Sequence, residues 1–444
     1  MAVQHPSAGP GAGRAPLPRD HPQRAALNDE VHARPPEPLA APLRASYVAL
    51  LGDAGGRQAA LDAVRDLARR FGAPPPEPDA NHYSADFGPF RLRWERHSEF
   101  TRCMFVAPGL GGDPFAEPAI AAVPPDWLAA LPGEVVTAAH AALVPAGRDA
   151  GPPDLDALSA RHFAGNQIIG AGLAGNRGEA YTDLRVHADG FGRILVRDRG
   201  MTRWQAGRIV QRLFEVETYR ILALLAFPVA KELAPFLTGR ERALSEIANA
   251  LIGAGEADEA ALHERLTRLA AEIEGREAAT LFRFGAAAAY YDLVRRRIAE
   301  LREVRIEGLQ TFEEFTERRL APALNTCAAV ARRQEALSAR VARVTQLLST
   351  RVEISRERQA FAVLASMNRR AQLQLRLQQT VEGLSVAAIT YYVVGLVGYA
   401  AKAAKSAGLP ADPEIAAGVA VPVVAVLVAL GMRRARRAIG HAGE

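Results

Sequence analysis

Two apolar segments near the C-terminus restrict the fold of this 444-residue chain more than any other feature. The first is Gly383–Ala401 with 19 residues, the second is Ile415–Met432 with 18, and neither contains a charged residue. A helix of about 20 apolar residues crosses the hydrocarbon core of a bilayer. Buried helices of a soluble protein are the alternative, but a helix without charge on any face next to clustered arginines is unusual there. The pair therefore predicts a transmembrane hairpin: helix 383–401, outer loop 402–414 and helix 415–432.

Basic residues flank this pair unequally. The loop carries two lysines, Lys402 and Lys405, whereas seven arginines lie on the outer sides of the two segments: Arg369, Arg370, Arg376, Arg433, Arg434, Arg436 and Arg437. Positive residues remain preferentially on the cytoplasmic side of a membrane. We therefore expect a multi-pass protein of the cytoplasmic membrane with both termini cytoplasmic, the lipid bilayer as its partner and 433–444 as a basic cytoplasmic tail.

The length of the chain leaves room for two or three modules before the membrane segment. Hydrophobic residues make up 49% and charged residues 23%, which excludes a wholly disordered chain. The only two cysteines, Cys103 and Cys327, are far apart, so neither a disulfide framework nor a zinc module is expected. No cofactor is predicted.

The distribution of proline separates a strand-rich part from a helical part, since 21 of the 29 prolines lie in the first 150 residues. Residues 1–20 are predicted to be a disordered lead-in without the apolar run of a secretory signal. Strands are expected at 45–51, 90–96 and 102–107, a helix at 57–71, and a hairpin over 181–196 with its turn at Asp189-Gly190. The prediction is an α+β cytoplasmic domain of mostly antiparallel strands over 21–200.

Helical periodicity begins at Thr202 and defines a helical region over 201–322. Its apolar stretch 221–230 is too short to cross a bilayer and is interpreted as a buried core helix. Further helices are expected over 243–252, 257–274 and 277–315.

A basic stalk helix is predicted over 323–382, a segment that contains ten arginines and only four glutamates. The charge balance favours contact with a membrane surface over nucleic acid. Four apolar residues at 4-3-4 spacing predict a coiled-coil seam against a helix of the same chain or of another subunit, which we name the stalk seam: Leu337, Val341, Val344 and Leu348.

Three short motifs are only weak evidence for a binding or catalytic site. Gly170, Gly172 and Gly175 form a G-x-G-x-x-G string, but strand-like sequence follows it, so glycine-rich sheet turns are favoured over a dinucleotide site. Asp29, Glu30 and His32 could bind a divalent cation, although an entry loop is favoured. His187 with Asp183 and Asp189 is explained by turn chemistry. No hydrolase, metalloprotease or P-loop motif occurs, and we expect no enzyme.

Four strings of the chain resemble a bacterial family of uncharacterised, predicted membrane-anchored proteins. They are HPQRAALNDEVHARPPEPL, EAYTDLRVHADGFGRILV, RIVQRLFEVETYRILALLAFPVA and the terminal apolar pair. The resemblance implies attachment to the bacterial inner membrane and supplies no catalytic residue.

A looser resemblance, of architecture alone, links the chain to CorA-type magnesium channels. That family carries Gly-Met-Asn at the outer end of its first span, where this chain has Gly395-Leu396-Val397-Gly398-Tyr399. The resemblance implies a homo-oligomer, a pentamer if the chain is a channel of this type, and a divalent cation as ligand. The residues left for a pore or an interface between helices are Ser385, Thr390, Tyr391, Tyr392, Gly395, Gly398 and Tyr399.

The sequence therefore predicts an α+β cytoplasmic domain, a long helical stalk and a two-helix transmembrane hairpin. Two functions remain open. One is a divergent CorA-like oligomeric cation channel or transporter, and the other is a membrane-anchored scaffold or regulator without transport activity.

Overall fold

The computed structural model describes residues 18–32, 36–147, 150–253, 255–408 and 412–440. They group into two compact units. The first unit comprises Met1–Ile252 and Glu264–Val344, and the second comprises Gly253–His263 and Thr345–Glu444.

A nine-stranded sheet forms the centre of the first unit, in the order β2-β3-β4-β1-β5-β8-β7-β6-β9. Among these strands β5 and β8 pair in parallel, and the other pairs are antiparallel. The strands are β1 Leu43–Leu51, β2 His82–Asp86, β3 Arg91–Arg96, β4 Phe100–Pro108, β5 Glu134–Pro145, β6 Ile169–Leu173, β7 Gly178–Thr182, β8 Gly192–Asp198 and β9 Val304–Arg305.

The helices are α1 Arg24–His32, α2 Ala54–Arg70, α3 Pro125–Ala129, α4 Leu155–His162, α5 Arg203–Leu224, α6 Ala226–Gly253, α7 Glu256–Leu301, α8 Phe312–Arg319, α9 Ala321–Ser406 and α10 Pro413–Gly440. The predicted strands at 45–51, 90–96 and 102–107 and the predicted helix at 57–71 are confirmed as β1, β3, β4 and α2. The N-terminal domain is thus an α/β domain, and a long helical region follows it and ends in α10.

Helices cover both faces of the sheet. On one face, α2 and α3 pack over Trp94, Phe105 and Trp127 in an apolar core. On the other face lies α5, whose Phe214 stacks on Tyr47 of β1 with ring centroids 4.8 Å apart. Because successive strand residues point to opposite faces, neighbouring residues of one strand serve different layers.

The predicted hairpin over 181–196 needs correction in its length. β7 and β8 are antiparallel neighbours, but β7 ends at Thr182 and β8 begins at Gly192. The nine residues between them form a loop, and the tight turn lies at its tip, where Gly190 has φ +83° and its N–H donates to the His187 carbonyl. The turn chemistry was predicted correctly, whereas the length of the ladder was not.

The helical region also differs from its predicted boundaries. The expected helices 257–274 and 277–315 are one helix, α7, which ends at Leu301 and is followed by β9 and then α8. The apolar stretch 221–230 is divided at Leu225 between α5 and α6, with Leu222, Ala223, Ala226 and Ala230 buried, as expected of core helices. Pro228 lies in the first turn of α6, where a missing N–H costs no hydrogen bond.

The stalk segment belongs to α9, which is continuous over 86 residues. Arg333 of α9 donates to Glu241 of α6 over 2.7 Å, and Gln334 of α9 lies 3.2 Å from the Thr280 hydroxyl of α7. These bonds attach the beginning of α9 to α6 and α7 of the same chain.

Candidate functional site

Among the described residues, three helical regions are long and apolar enough to cross a membrane: Arg203–Gly253, Ala321–Ser406 and Pro413–Arg434. In the first, 33% of the most apolar window is buried inside the protein, against 11% and 6% in the other two. The first region combines α5, which packs on the sheet, with α6. The apolar ends of α9 and α10 are therefore the candidate membrane segments, and large side chains such as Tyr391 and Leu427 are 77% and 62% exposed there.

The proposed pore residues all lie on α9 but show no joint arrangement around an ion. The hydroxyls of Ser385 and Thr390 donate to the carbonyls four residues earlier, of Val381 at 2.9 Å and Val386 at 2.7 Å. Both are thus satisfied within their own helix.

The other members of that set face outward. Tyr391, Tyr392 and Tyr399 are exposed, and the rings of Tyr391 and Tyr392 meet edge to face with centroids 5.8 Å apart. A Cβ built on Gly395 or Gly398 meets no atom within 4 Å, so neither glycine is at a close helix contact. Exposed aromatic rings of this kind suit an interface with lipid.

A groove of about 370 Å³ lies between the two apolar helices α9 and α10. Residues of α9 from Gln374 to Ser385 line it together with Met432 of α10. Residues near the C-terminal end of α10 therefore lie beside α9 at the point where the apolar segment of α9 begins.

The stalk seam is covered within the chain. Leu337, Val341 and Leu348 are 1%, 3% and 0% exposed, and Val344 is half-buried. Since only one chain is present, residues of the same chain bury these side chains. Apart from the half-buried Val344, the seam thus presents no free surface in the described part of the chain, and the expected coiled coil gains no support.

A cluster of buried charges lies between the sheet and α5, and sequence reasoning did not predict it. Arg102 of β4 donates to Glu95 of β3 over 2.8 Å and to Glu215 of α5 over 3.1 Å. Arg93 donates to the other oxygen of Glu95 over 2.6 Å, and Arg297 of α7 binds Glu215. The available sequence signal was a carboxylate, Glu215, between the apolar residues Phe214 and Val216 of α5.

The electrostatics of this cluster keep its carboxylates ionised. Burial alone would raise the pKa of Glu95, but Arg102, His97 and Arg93 outweigh it and hold that pKa well below its usual range. Arg102 and Arg297 likewise overcome burial and lower the pKa of Glu215. A cavity of about 20 Å³ beside Tyr47, Arg93 and Gln211 has room for one water molecule. Every charge of the cluster is paired, and the cavity has no space for a substrate. The role of the cluster is therefore structural: it joins the sheet to α5.

A serine, a histidine and an aspartate also meet on the opposite face of the sheet. The Ser46 hydroxyl lies 2.9 Å from Nδ1 of His140, and Asp189 Oδ2 lies 4.0 Å from Nε2. These residue types form nucleophilic triads elsewhere. Ser46 is fully buried, however, and already accepts the Ile120 N–H at 3.1 Å, so no substrate reaches it.

His140 instead holds the β7–β8 loop in place. Its ring stacks on Phe191 with centroids 4.0 Å apart. Burial lowers the pKa of His140 to about 4, although Asp189 opposes that shift, and the imidazole is neutral at neutral pH.

The weak sequence motifs have structural roles. Gly170 and Gly172 lie in β6 of the β6–β7 hairpin, where a Cβ on Gly170 would come within 2.6 Å of the Ala180 carbonyl oxygen. Gly170 and Gly172 thus permit close strand packing, and of the three glycines only Gly175 lies in a turn, the one between β6 and β7. His187 Nε2 lies 3.0 Å from Asp183 Oδ2, which also accepts from Asn166 at 2.8 Å.

The proposed cation ligands near the N-terminus are not brought together in a described site. Asp29 lies on α1 and contacts Asn28, whereas the side chains of Glu30 and His32 lie outside the described residues. Within the described part of the chain, no group of three or more His, Cys, Asp or Glu residues could hold a metal ion.

The fold and the apolar helices define an α/β protein with a long C-terminal helical region that is compatible with membrane association. The chain belongs to the family described as protein of unknown function, DUF3422, whose model matches residues 19–439. The expected resemblance to an uncharacterised family is thereby confirmed, whereas the resemblance to CorA-type channels gains no support. No curated protein and no solved structure matches the chain.

Proposed function

We propose that this protein is an integral membrane protein whose α9 and α10 cross the bilayer as a hairpin and hold the α/β domain at its cytoplasmic face. One observation carries the proposal: these helices are uncharged over 383–401 and 415–432, and only 11% and 6% of their most apolar windows are buried inside the protein. In water, exposed apolar area costs about 25 cal/mol per Å². A bilayer removes that cost.

The groove between the helices supports the hairpin. Met432 lies beside the segment of α9 that ends at Ser385, and the short connection after Ser406 allows α10 to return along α9. The arginine excess outside the pair and the two lysines between the helices support cytoplasmic termini.

An anchor without a pore is the function these observations favour. Ser385 and Thr390 use their hydroxyls within α9, and the tyrosines face outward. No contact on α9 or α10 in the described residues favours conduction, so we propose a membrane-anchored scaffold or regulatory protein.

Reporter fusions and membrane extraction test this proposal. A reporter active only in the cytoplasm should work when fused after Glu444, and a reporter active only outside should work when inserted at Gly408. A chain truncated to residues 1–382 should no longer be found in the membrane fraction that resists carbonate extraction. It should still melt cooperatively. An external C-terminus would overturn the topology, and a soluble full-length chain would overturn the anchor.

A paired substitution makes the test specific to α10. Val424→Arg with Leu427→Arg places two charges in the second segment, at about 3 kcal/mol each at the bilayer centre, and should move the C-terminal reporter to the outside. The control is Leu281→Arg with Phe282→Arg on α7, residues that are 64% and 65% exposed. The control should leave the reporter unchanged.

A further inference from the structure

A groove of about 470 Å³ lies in the first unit. Three segments meet there: the β6–β7 turn at Ala174, the start of α5 with Gln205 and Arg208, and the end of α7 with Glu300 and Arg302. Its volume is within the range of small-molecule sites, about 300 to 1,000 Å³.

Three arginines line this groove against a single carboxylate: Arg208, Arg212, Arg302 and Glu300. Arg212 is fixed by Glu300, whose carboxylate accepts from its Nε at 2.8 Å and whose carbonyl accepts at 3.3 Å. No ion pair among the described residues involves Arg208 or Arg302, and both are exposed. The lining groups therefore carry a surplus of two positive charges, three arginines less one carboxylate.

The backbone at the groove is also unusual. Arg302 follows the last residue of α7 with φ +52°, a position at which glycine is the usual residue. Ala174 also has φ +52°, and its N–H donates to the Leu301 carbonyl at 3.1 Å. A residue other than glycine costs free energy when its backbone adopts the left-handed conformation, and such residues concentrate at ligand sites. A guanidinium is thus held in the groove at a position where glycine would relieve the strain.

We propose that this groove binds a small phosphorylated ligand through Arg208, Arg212 and Arg302. The planar guanidinium forms paired hydrogen bonds with phosphate oxygens, and a surplus of two positive charges matches a phosphate dianion. The Gly-rich β6–β7 string contributes by shaping the turn that begins at Ala174. This site does not depend on membrane anchoring.

Titration calorimetry of the full-length protein in detergent, with inorganic pyrophosphate as probe at low salt, tests the proposal. Arg302→Gly removes the guanidinium while glycine accepts φ +52° readily, so the fold is preserved. We expect this variant and Arg208→Gln each to weaken binding about tenfold, the loss expected for one charged hydrogen-bond pair.

The matched control is Arg242→Gln, which removes an exposed arginine of α6 outside the groove. Wild-type affinity in this control, with weaker binding in both groove variants, supports the proposal. An equal loss in all three variants would indicate binding by general charge, and unchanged binding in Arg302→Gly and Arg208→Gln would place the anion elsewhere. Either result, or no binding of pyrophosphate to the wild type at millimolar concentration, overturns the proposal.

Discussion

Arg102 of β4 and Glu215 of α5 form a hydrogen-bonded ion pair across 3.1 Å, with side chains only 8% and 4% exposed. The pair connects the sheet to the helix that covers it. Because Arg102 also binds Glu95, a single guanidinium bridges two buried carboxylates. The first prediction concerns this sharing.

Arg102→Met should destabilise the protein by about 3 to 5 kcal/mol, because it leaves two buried carboxylates without their common partner. Urea denaturation of the detergent-solubilised protein measures the change. Arg65→Gln is the control, since it breaks a surface pair with Asp62 and should cost less than about 1 kcal/mol. Equal effects of the two substitutions would contradict the assigned role of the cluster.

The second prediction concerns pH. His140 has its pKa lowered by burial from 6.5 to about 4, so the unfolded chain takes up a proton first as the pH falls. Stability should therefore decline between about pH 6.5 and 4, by about 3 kcal/mol in total. The carboxylates Glu95 and Glu215, whose pKa values are lowered from 4.5, reduce stability from about pH 4.5 downward and so overlap the acidic end of this range.

His140→Asn retains a polar partner for Ser46 and removes the titrating ring. We expect its melting temperature to vary less between pH 6.5 and 4 than that of the wild type, while His21→Asn, at an exposed histidine, follows the wild type. Because burial also lowers the pKa of His162, the quantity to compare is the difference between variant and wild type. Parallel curves for His140→Asn and wild type would be inconsistent with the prediction.

The third prediction uses two glycines within helices. A Cβ on Gly207 of α5 would lie 1.7 Å from the backbone oxygen of Glu37, whereas a Cβ on Gly239 of α6 meets nothing within 4 Å. Gly207→Ala should cost about 2 kcal/mol or more, because the Glu37 segment must move away from the helix. Gly239→Ala should gain about 0.5 to 1 kcal/mol from the higher helix propensity of alanine. Thermal melting of both variants should give shifts of opposite sign.

The fourth prediction compares adjacent leucines of α9. Leu348 is 0% exposed and Leu347 is 66% exposed. Leu348→Asp should lower stability by about 3 kcal/mol or more, since it buries a charge in an apolar contact, whereas Leu347→Asp should change stability by less than about 0.5 kcal/mol. Because the chain itself buries the stalk seam, the assembled mass in detergent should be the same for both variants and the wild type. A lower mass for Leu348→Asp would show that the seam joins subunits.

Local pattern alone determined the position of most elements. The alternation around Trp94 and Phe105 predicted β3 and β4, the spacing of Leu61, Val64 and Leu67 predicted α2, and the uninterrupted pattern after Pro322 predicted the long helix α9. Each signal extends over neighbouring residues, because the periodicity of a strand or helix is a property of the chain itself. The apolar segments at 383–401 and 415–432 were visible for the same reason.

Only the tertiary structure decided which polar faces are buried and which arginines meet. Arg93 and Glu95 alternate with Leu92 and Trp94 as they would on a strand with one side in water, yet α5, more than a hundred residues later, covers them. Arg208 and Arg302 come together only because the start of α5 and the end of α7 lie near the same turn of the sheet. Pairings of this kind depend on contacts between distant segments, which the spacing of residues along the chain does not encode.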